Sequence, residues 1–433
     1  MPGPFNAASM LPDELWVKSL SQLGPEIDVE LHSGSLKKLA QDQRNLYRVR
    51  SVCSRFSKLF LDCPKLSSCL ILEGRERPVC TPSLLAWLRC HSCCVETVVT
   101  ECGTPALEMV LGALLTQPQH LKSLALGQSQ DPYLRMTASF TSLVTLRLSA
   151  TDSSDNVDIC ALEALPHLHT LSLYLGDYRT RELPKGLLSL RLEDAVLDLA
   201  EPTTCVVPLQ NLKVIRSHLS SVHRDGILAY TPLQELYLDG GSIDSSYYTR
   251  DDNTVEFGEC CYDGRFSCPD LSALNFVRVL HMNVSGPAMA YDEPIDWGCL
   301  YCLSSLQALT LHSQTQGLQI DNELTLLGNL NCLTLIGAAP PYARVGVVVS
   351  VTIDVSWAAM PTLQNIYIES DRLHFGPNML ELLEVSDLRR VTFLDSKRVT
   401  AEVPADFAAL VQNLTVQRPE VTLTVNGSCK LAV

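Results

Sequence analysis

Cys299 and Cys302 stand three residues apart, the spacing of half a zinc site or of a redox dithiol. Cys90-His91-Ser92-Cys93-Cys94 is a second compact set of soft ligands. A structural zinc site needs a second pair of ligands. The nearest candidates, Cys260, Cys261 and Cys268, lie in an acidic segment, and the strand–helix–strand context of a redox pair is absent. The Cys90 to Cys94 set reads as a cysteine-rich helix end. No glycine-rich phosphate loop occurs, and the 10 histidines are scattered, none in a nucleophile arrangement. The expectation is a chain with no catalytic residue, no metal and no cofactor. What remains is recognition. Arg147, Arg191 and Arg216 are three guanidinium groups in an otherwise acidic stretch. Such forks suit carboxylate or phosphate.

The elements that must position them follow from a recurring string: aliphatic, two residues, aliphatic, one residue, aliphatic. It reads Leu121-Lys-Ser-Leu124-Ala-Leu126, then starts again at Leu143, Leu168, Leu187, Leu212, Leu233, Val277, Leu306, Leu330, Leu363 and Leu388. The intervals are 22, 25, 19, 25, 21, 44, 29, 24, 33 and 25 residues. Most fall in or near the range of about 20–29 of a leucine-rich repeat. The last two aliphatics point the same way off a short strand, and the residue between them points the other way. One such strand cannot bury its apolar side alone, so copies stack into a continuous core. The predicted fold class is α/β: a solenoid with a curved parallel sheet on the concave side and irregular helices and loops on the convex side.

In this spelling the outward residue runs Ala125, Arg147, Ser172, Arg191, Arg216, Tyr237, His281, Thr310, Thr334, Tyr367, Thr392. Neighbouring strands lie ~4.8 Å apart, so Arg191 and Arg216 can converge on one anion. Tyr174 and Tyr237 flank them. Arg147, Arg191, Arg216, Tyr174, Tyr237 and His281 are therefore the candidate target-binding set, for an acidic or phosphorylated segment of a protein or a small polyanionic ligand. The competing reading is that the arginines pair with Glu193, Glu235 and Asp239 on the same face and only keep it solvated.

The net charge of −15 disfavours nucleic acid and anionic membranes as partners. Residues 1–80 hold 11 Lys and Arg against 9 Asp and Glu, and the remainder 22 against 39, so two units with different partners are expected. Met1 to Ser9 lacks the pattern of a signal peptide. Val345 to Met360 is interrupted by Asp354, is too short to span a bilayer and reads as buried strand. A soluble protein of the cytoplasm or nucleus, with its 17 cysteines reduced, is expected. The organisation is a tail at 1–10, a helical module at 11–65 and the solenoid at 66–433, with an acidic insertion at about 240–269. The insertion reads as a loosely packed loop.

Within the helical module, Leu11-Pro12-Asp13-Glu14-Leu15-Trp16 resembles the opening of an F-box. Leu46-Tyr-Arg-Val49-Arg-Ser-Val52-Cys53-Ser-Arg55-Phe56-Ser-Lys-Leu59 resembles its later helix. The two halves lie further apart than the family usually has them, the excess falling between Glu26 and Gln43. With leucine-rich repeats behind it, the chain resembles an F-box/leucine-rich-repeat protein, a substrate receptor of cullin-RING ubiquitin ligases. The resemblance implies docking on a Skp-type adaptor, and through it a cullin, by Leu11, Pro12, Leu15, Trp16, Val49, Val52, Cys53 and Phe56. It implies a protein target held by the repeats. The residues alone leave a second possibility: a helical cap that shields the open end of the solenoid.

Overall fold

The computed structural model describes residues 68–72, 82–100, 106–127, 131–150, 156–199, 207–221, 232–239, 242–245, 276–284, 300, 303–313, 317–338, 349–395 and 405–426. The helical module, with Leu11, Pro12, Leu15, Trp16, Val49, Val52, Cys53 and Phe56, lies outside them. So do the tail, Cys299, Cys302 and most of the acidic insertion. The chain divides into two compact units, Met1–Leu187 and Leu188–Val433.

In the first unit, β1 (Cys69–Leu72), β2 (Thr97–Thr100), β3 (Ser123–Leu126), β4 (Thr145–Ser149) and β6 (Thr170–Thr180) pair in parallel in that order. The short β5 (Asn156–Asp158) pairs with the far end of β6. The register aligns Leu70, Val98, Leu124, Leu146 and Leu171 in one row. Leu72, Thr100, Leu126, Leu148 and Leu173 form the next, and all ten are buried. Three helices fill the crossovers: α1 (Pro82–His91), α2 (Ala106–Leu114) and α3 (Asp131–Thr137). Pro82 suits the first turn of α1, where its missing N–H costs nothing. In α2, Leu107, Val110, Leu111 and Leu114 recur at three and four and are all buried, an apolar stripe that packs on the core.

The second unit repeats the plan with different crossovers. Its main row is β7 (Ser189–Leu199), β8 (Asn211–Ile215), β10 (Glu235–Asp239), β12 (Val279–Val284), β13 (Ala308–Ser313), β15 (Cys332–Gly337), β17 (Asn365–Ser370), β19 (Arg390–Asp395) and β20 (Thr422–Asn426). All pair in parallel. A second row joins the far half of β7 to β9 (His218–Ser221) and β11 (Ser242–Ser245). A separate three-stranded sheet holds β14 (Leu318–Ile320), β16 (Ser350–Ile353) and β18 (Arg372–Phe375). Between β12 and β19 the crossovers described contain 3₁₀ turns, at Asn322–Leu326, Trp357–Ala359 and Pro377–Glu384, where the first unit has α-helices. A 13-residue helix, α4 (Ala405–Gln417), precedes β20.

Backbone bonds stitch the strand starts. The N–H groups of Glu96 and Thr97 both donate to Ser68 O, at 2.8 and 2.9 Å, and the same fork recurs from Lys122 and Ser123 onto Glu96 O. At the other end of the strands stand Ser313, Gly337 and Ser370, side by side. A Cβ on Gly337 would lie 2.6 Å from Cγ2 of the buried Val351, so the end of β15 requires glycine.

One copy is spelled differently from the sequence reading. Leu190 and Leu192 align with Leu212 and Val214, so the string begins at Leu209, which is buried. The neighbouring intervals of 25 and 21 become 22 and 24, and the repeat is more regular than expected.

The corners between the two strand rows carry backbone strain. Leu175, Asp194 and Arg216 have φ of 51°, 51° and 44°. Each stands two residues after the second inward aliphatic of its copy: Leu173, Leu192 and Val214. For an L-residue other than glycine this conformation costs about 1–2 kcal/mol. Leu175 is also 42% exposed, so its side chain recovers little by burial. Leu175→Asn is expected to stabilise the chain by about 1 kcal/mol, because asparagine tolerates the left-handed region. A thermal unfolding midpoint that stays put or falls would show that the corner stores no strain.

Candidate protein-binding face

The outward row of the second unit follows from the register. It runs Arg191, Lys213, Tyr237, His281, Thr310, Thr334, Tyr367, Thr392, Thr424. Arg216 is not in it. The position assigned to Arg216 belongs to Lys213, which the respelled copy from Leu209 would have given. Arg216 instead occupies the left-handed corner after β8.

The two arginines do converge on one anion, and it belongs to the chain. Arg191 Nη2 donates to Glu193 Oε2 at 2.9 Å, and Arg216 Nη2 lies 3.9 Å from Glu193 Oε1. Arg216 also grips Asp194 with a fork: Nε to Oδ1 and Nη2 to Oδ2, both at 2.6 Å. Alternation along β7 would aim Asp194 into the core with Leu190 and Leu192; its positive φ turns it out to Arg216. The side chain of Arg191 is 13% exposed and that of Arg216 is 59% exposed. The Arg216 pairs are therefore screened and worth about 0–1 kcal/mol. The formal charges of Arg191, Arg216, Glu193 and Asp194 cancel.

Beyond them the row turns aromatic and then hydroxylic. The rings of Tyr237 and His281 stack with centroids 4.3 Å apart and planes 10° from parallel. Further along, the Tyr367 hydroxyl donates to Glu369 Oε2 at 2.7 Å. Burial, then the hydrogen bond and charge of Glu369, push the Tyr367 phenol up to about 12. The phenol is neutral in the folded chain well beyond its ordinary range near 10. Its pairing with Glu369 stabilises the fold below about pH 10 and is lost as the pH rises towards 12. Subtracting a Tyr367→Phe absorbance titration from that of the parent should leave one phenolate forming near pH 12; one forming near 10 would deny the pairing.

In the first unit, Arg147 of β4 lies over the ring of Tyr174 of β6, its guanidinium carbon 3.9 Å from the centroid. Such a contact is worth roughly 0.5–2 kcal/mol. The six residues proposed from sequence thus fall into three local groups: Arg147 with Tyr174, Arg191 with Arg216 through Glu193, and Tyr237 with His281. Lys213, Asp194 and the Tyr367–Glu369 pair were missed. No group of three or more His, Cys, Asp or Glu that could hold a metal occurs among the described residues. None of the described helices is long and apolar enough to cross a membrane.

No protein-family model and no curated protein matches the chain. Among solved structures, the internalin inlF of Listeria monocytogenes is 13% identical over 70% of this chain and 81% of that one, with a TM-score of 0.43. Internalin C2 of the same organism is 16% identical over 59% and 84%, with a TM-score of 0.32. A TDR receptor is 13% identical over 82% of this chain and 59% of that one, with a TM-score of 0.38. Likenesses at these TM-scores decide nothing about this chain, and the leucine-rich-repeat solenoid rests on the strand register itself.

Proposed function

We propose that the chain is a non-catalytic, protein-binding leucine-rich-repeat solenoid whose ligand lies along the outward row from Lys213 to Thr392. The observation that carries this reading is the division of labour along each strand. From β7 to β19 both inward apolar side chains of every main-row strand are buried, while the outward positions vary through cation, stacked aromatics, hydroxyls and a phenol–carboxylate pair. Aromatic anchors are what a protein contact uses. The target carries an acidic or phosphorylated segment. Such an anion would meet Lys213 and would compete with Glu193 and Asp194 for Arg191 and Arg216; Arg147 and Tyr174 would serve the first unit in the same way.

The finer reading is that residues 11–65 are an F-box that docks on a Skp-type adaptor, so that a bound protein is presented for ubiquitination by a cullin ligase. The motif halves around Leu11-Pro12 and Val52-Cys53 support it. The alternative is a scaffold whose N-terminal helices only cap the repeats. Affinity purification of the full chain from its native cell separates them. Leu11→Ala with Pro12→Ala should lose adaptor and cullin yet keep the target. Tyr237→Ala with His281→Ala should lose the target yet keep the adaptor. An unaltered chain that brings down target without adaptor leaves the scaffold. A face variant that keeps every partner removes the binding row.

A further inference from the structure

The sulfurs of Cys93 and Cys94 lie 3.8 Å apart. Consecutive side chains on a strand point to opposite faces; here a 3₁₀ turn, Ser92–Cys94, brings them together. The turn is held from both sides. His91 Nδ1 lies 2.9 Å from Trp87 O, Ser92 Oγ lies 3.0 Å from Thr116 Oγ1, and the Val95 N–H donates to Ser92 O at 3.2 Å. Cys93 is exposed and Cys94 half-buried, so the pair is open to small solutes. Neither residue belongs to the outward row of the sheet.

The separation selects the chemistry. A disulfide needs about 2.05 Å between sulfurs and Cα atoms usually 4.4 Å or more apart, whereas adjacent residues are held at about 3.8 Å. Oxidation of this pair would strain the turn. A soft centre bonded to both sulfurs at about 2.3 Å, near the tetrahedral angle, spans the distance seen. Zinc would need two more ligands, and no larger ligand group is present among the described residues. A monosubstituted trivalent arsenic centre needs only two sulfurs, since carbon fills its third position.

We propose that Cys93 and Cys94 form a dithiol site that chelates soft, thiol-seeking centres satisfied by two sulfurs, of which a monosubstituted trivalent arsenical is the type. With an arsenoxide, two arsenic–sulfur bonds form and the arsenic–oxygen double bond breaks. The two thiol protons leave with the oxygen as one water. Arsenic stays trivalent and nothing is oxidised or reduced. Once one sulfur is bound, the second bond is intramolecular, which raises affinity on the order of 10²–10⁴-fold over a single thiol. Burial, then the hydrogen bond and charge of Cys93, hold the Cys94 thiol above its ordinary range. Cys94 is therefore not a ready thiolate nucleophile, and the site works by closing a chelate.

The test uses the reduced full chain carrying Cys260→Ser, Cys261→Ser, Cys299→Ser and Cys302→Ser, which removes the other adjacent and dithiol-spaced cysteines of the sequence. Phenylarsine oxide is added, and excess monothiol then strips singly bonded arsenic. Intact mass should show an arsenical bound with loss of one water, and Cys93 and Cys94 should be protected from alkylation. Cys93→Ser and Cys94→Ser should each lose that adduct, while Cys90→Ser keeps it. Absence of a monothiol-resistant adduct, its persistence in both single variants, or protection elsewhere with Cys93 and Cys94 left open would overturn the site.

Discussion

Leu190→Ala is expected to cost about 2–5 kcal/mol of stability. Leu190 is fully buried and stands beside Leu212 in the register, with Leu192 and Val214 two residues on. Removing its isobutyl end loses transfer energy and leaves a hole between rungs that strand pairing holds in place. The matched control is Thr310→Ala on the outward row, where a change within about 0.5 kcal/mol is expected. Denaturant unfolding of both variants compares them directly. A loss for Leu190→Ala no larger than the control's would mean that the inward aliphatics do not make the core.

A larger loss, about 3–5 kcal/mol, is expected for Trp357→Ala. Trp357 is 1% exposed and is the largest of the fully buried side chains among the described residues. Its 3₁₀ turn is tied to the next one, because Glu381 Oε2 accepts from Ser356 Oγ at 2.8 Å and from the Ala358 N–H at 3.4 Å. In a solenoid each copy leans on its neighbours only. Hydrogen exchange should therefore quicken first in the turns at 357–359 and 377–384, with β2 to β4 unchanged. A uniform rise along the chain would contradict neighbour-only stabilisation.

The inward rows were readable because a period of two with leucine on one side has a single packing solution. Leu124, Leu126, Leu146, Leu148, Leu171, Leu173, Leu190, Leu192, Leu236, Leu238, Leu309 and Leu311 are all buried as expected. The same rule misled at Leu212, where Leu209 and Ile215 offered two spellings and only pairing to β7 chose between them. Asp194 was unreadable for a different reason: its partner depends on a left-handed backbone that alternation does not contain. The crossovers of the second unit were also hidden. The sequence does not separate a 3₁₀ turn such as Asn322–Leu326 from a short helix, since both need the same few apolar residues.

Tyr237 pairs in step with Lys213 on one side and with His281 on the other, although Leu233 starts 24 residues after Leu209 and Val277 starts 44 after Leu233. The length of a crossover is thus decoupled from the geometry of the face. Doubling a flexible crossover costs only about 0.6 kcal/mol of closure entropy. For engineering, length can therefore be added between rungs without respacing what the sheet presents.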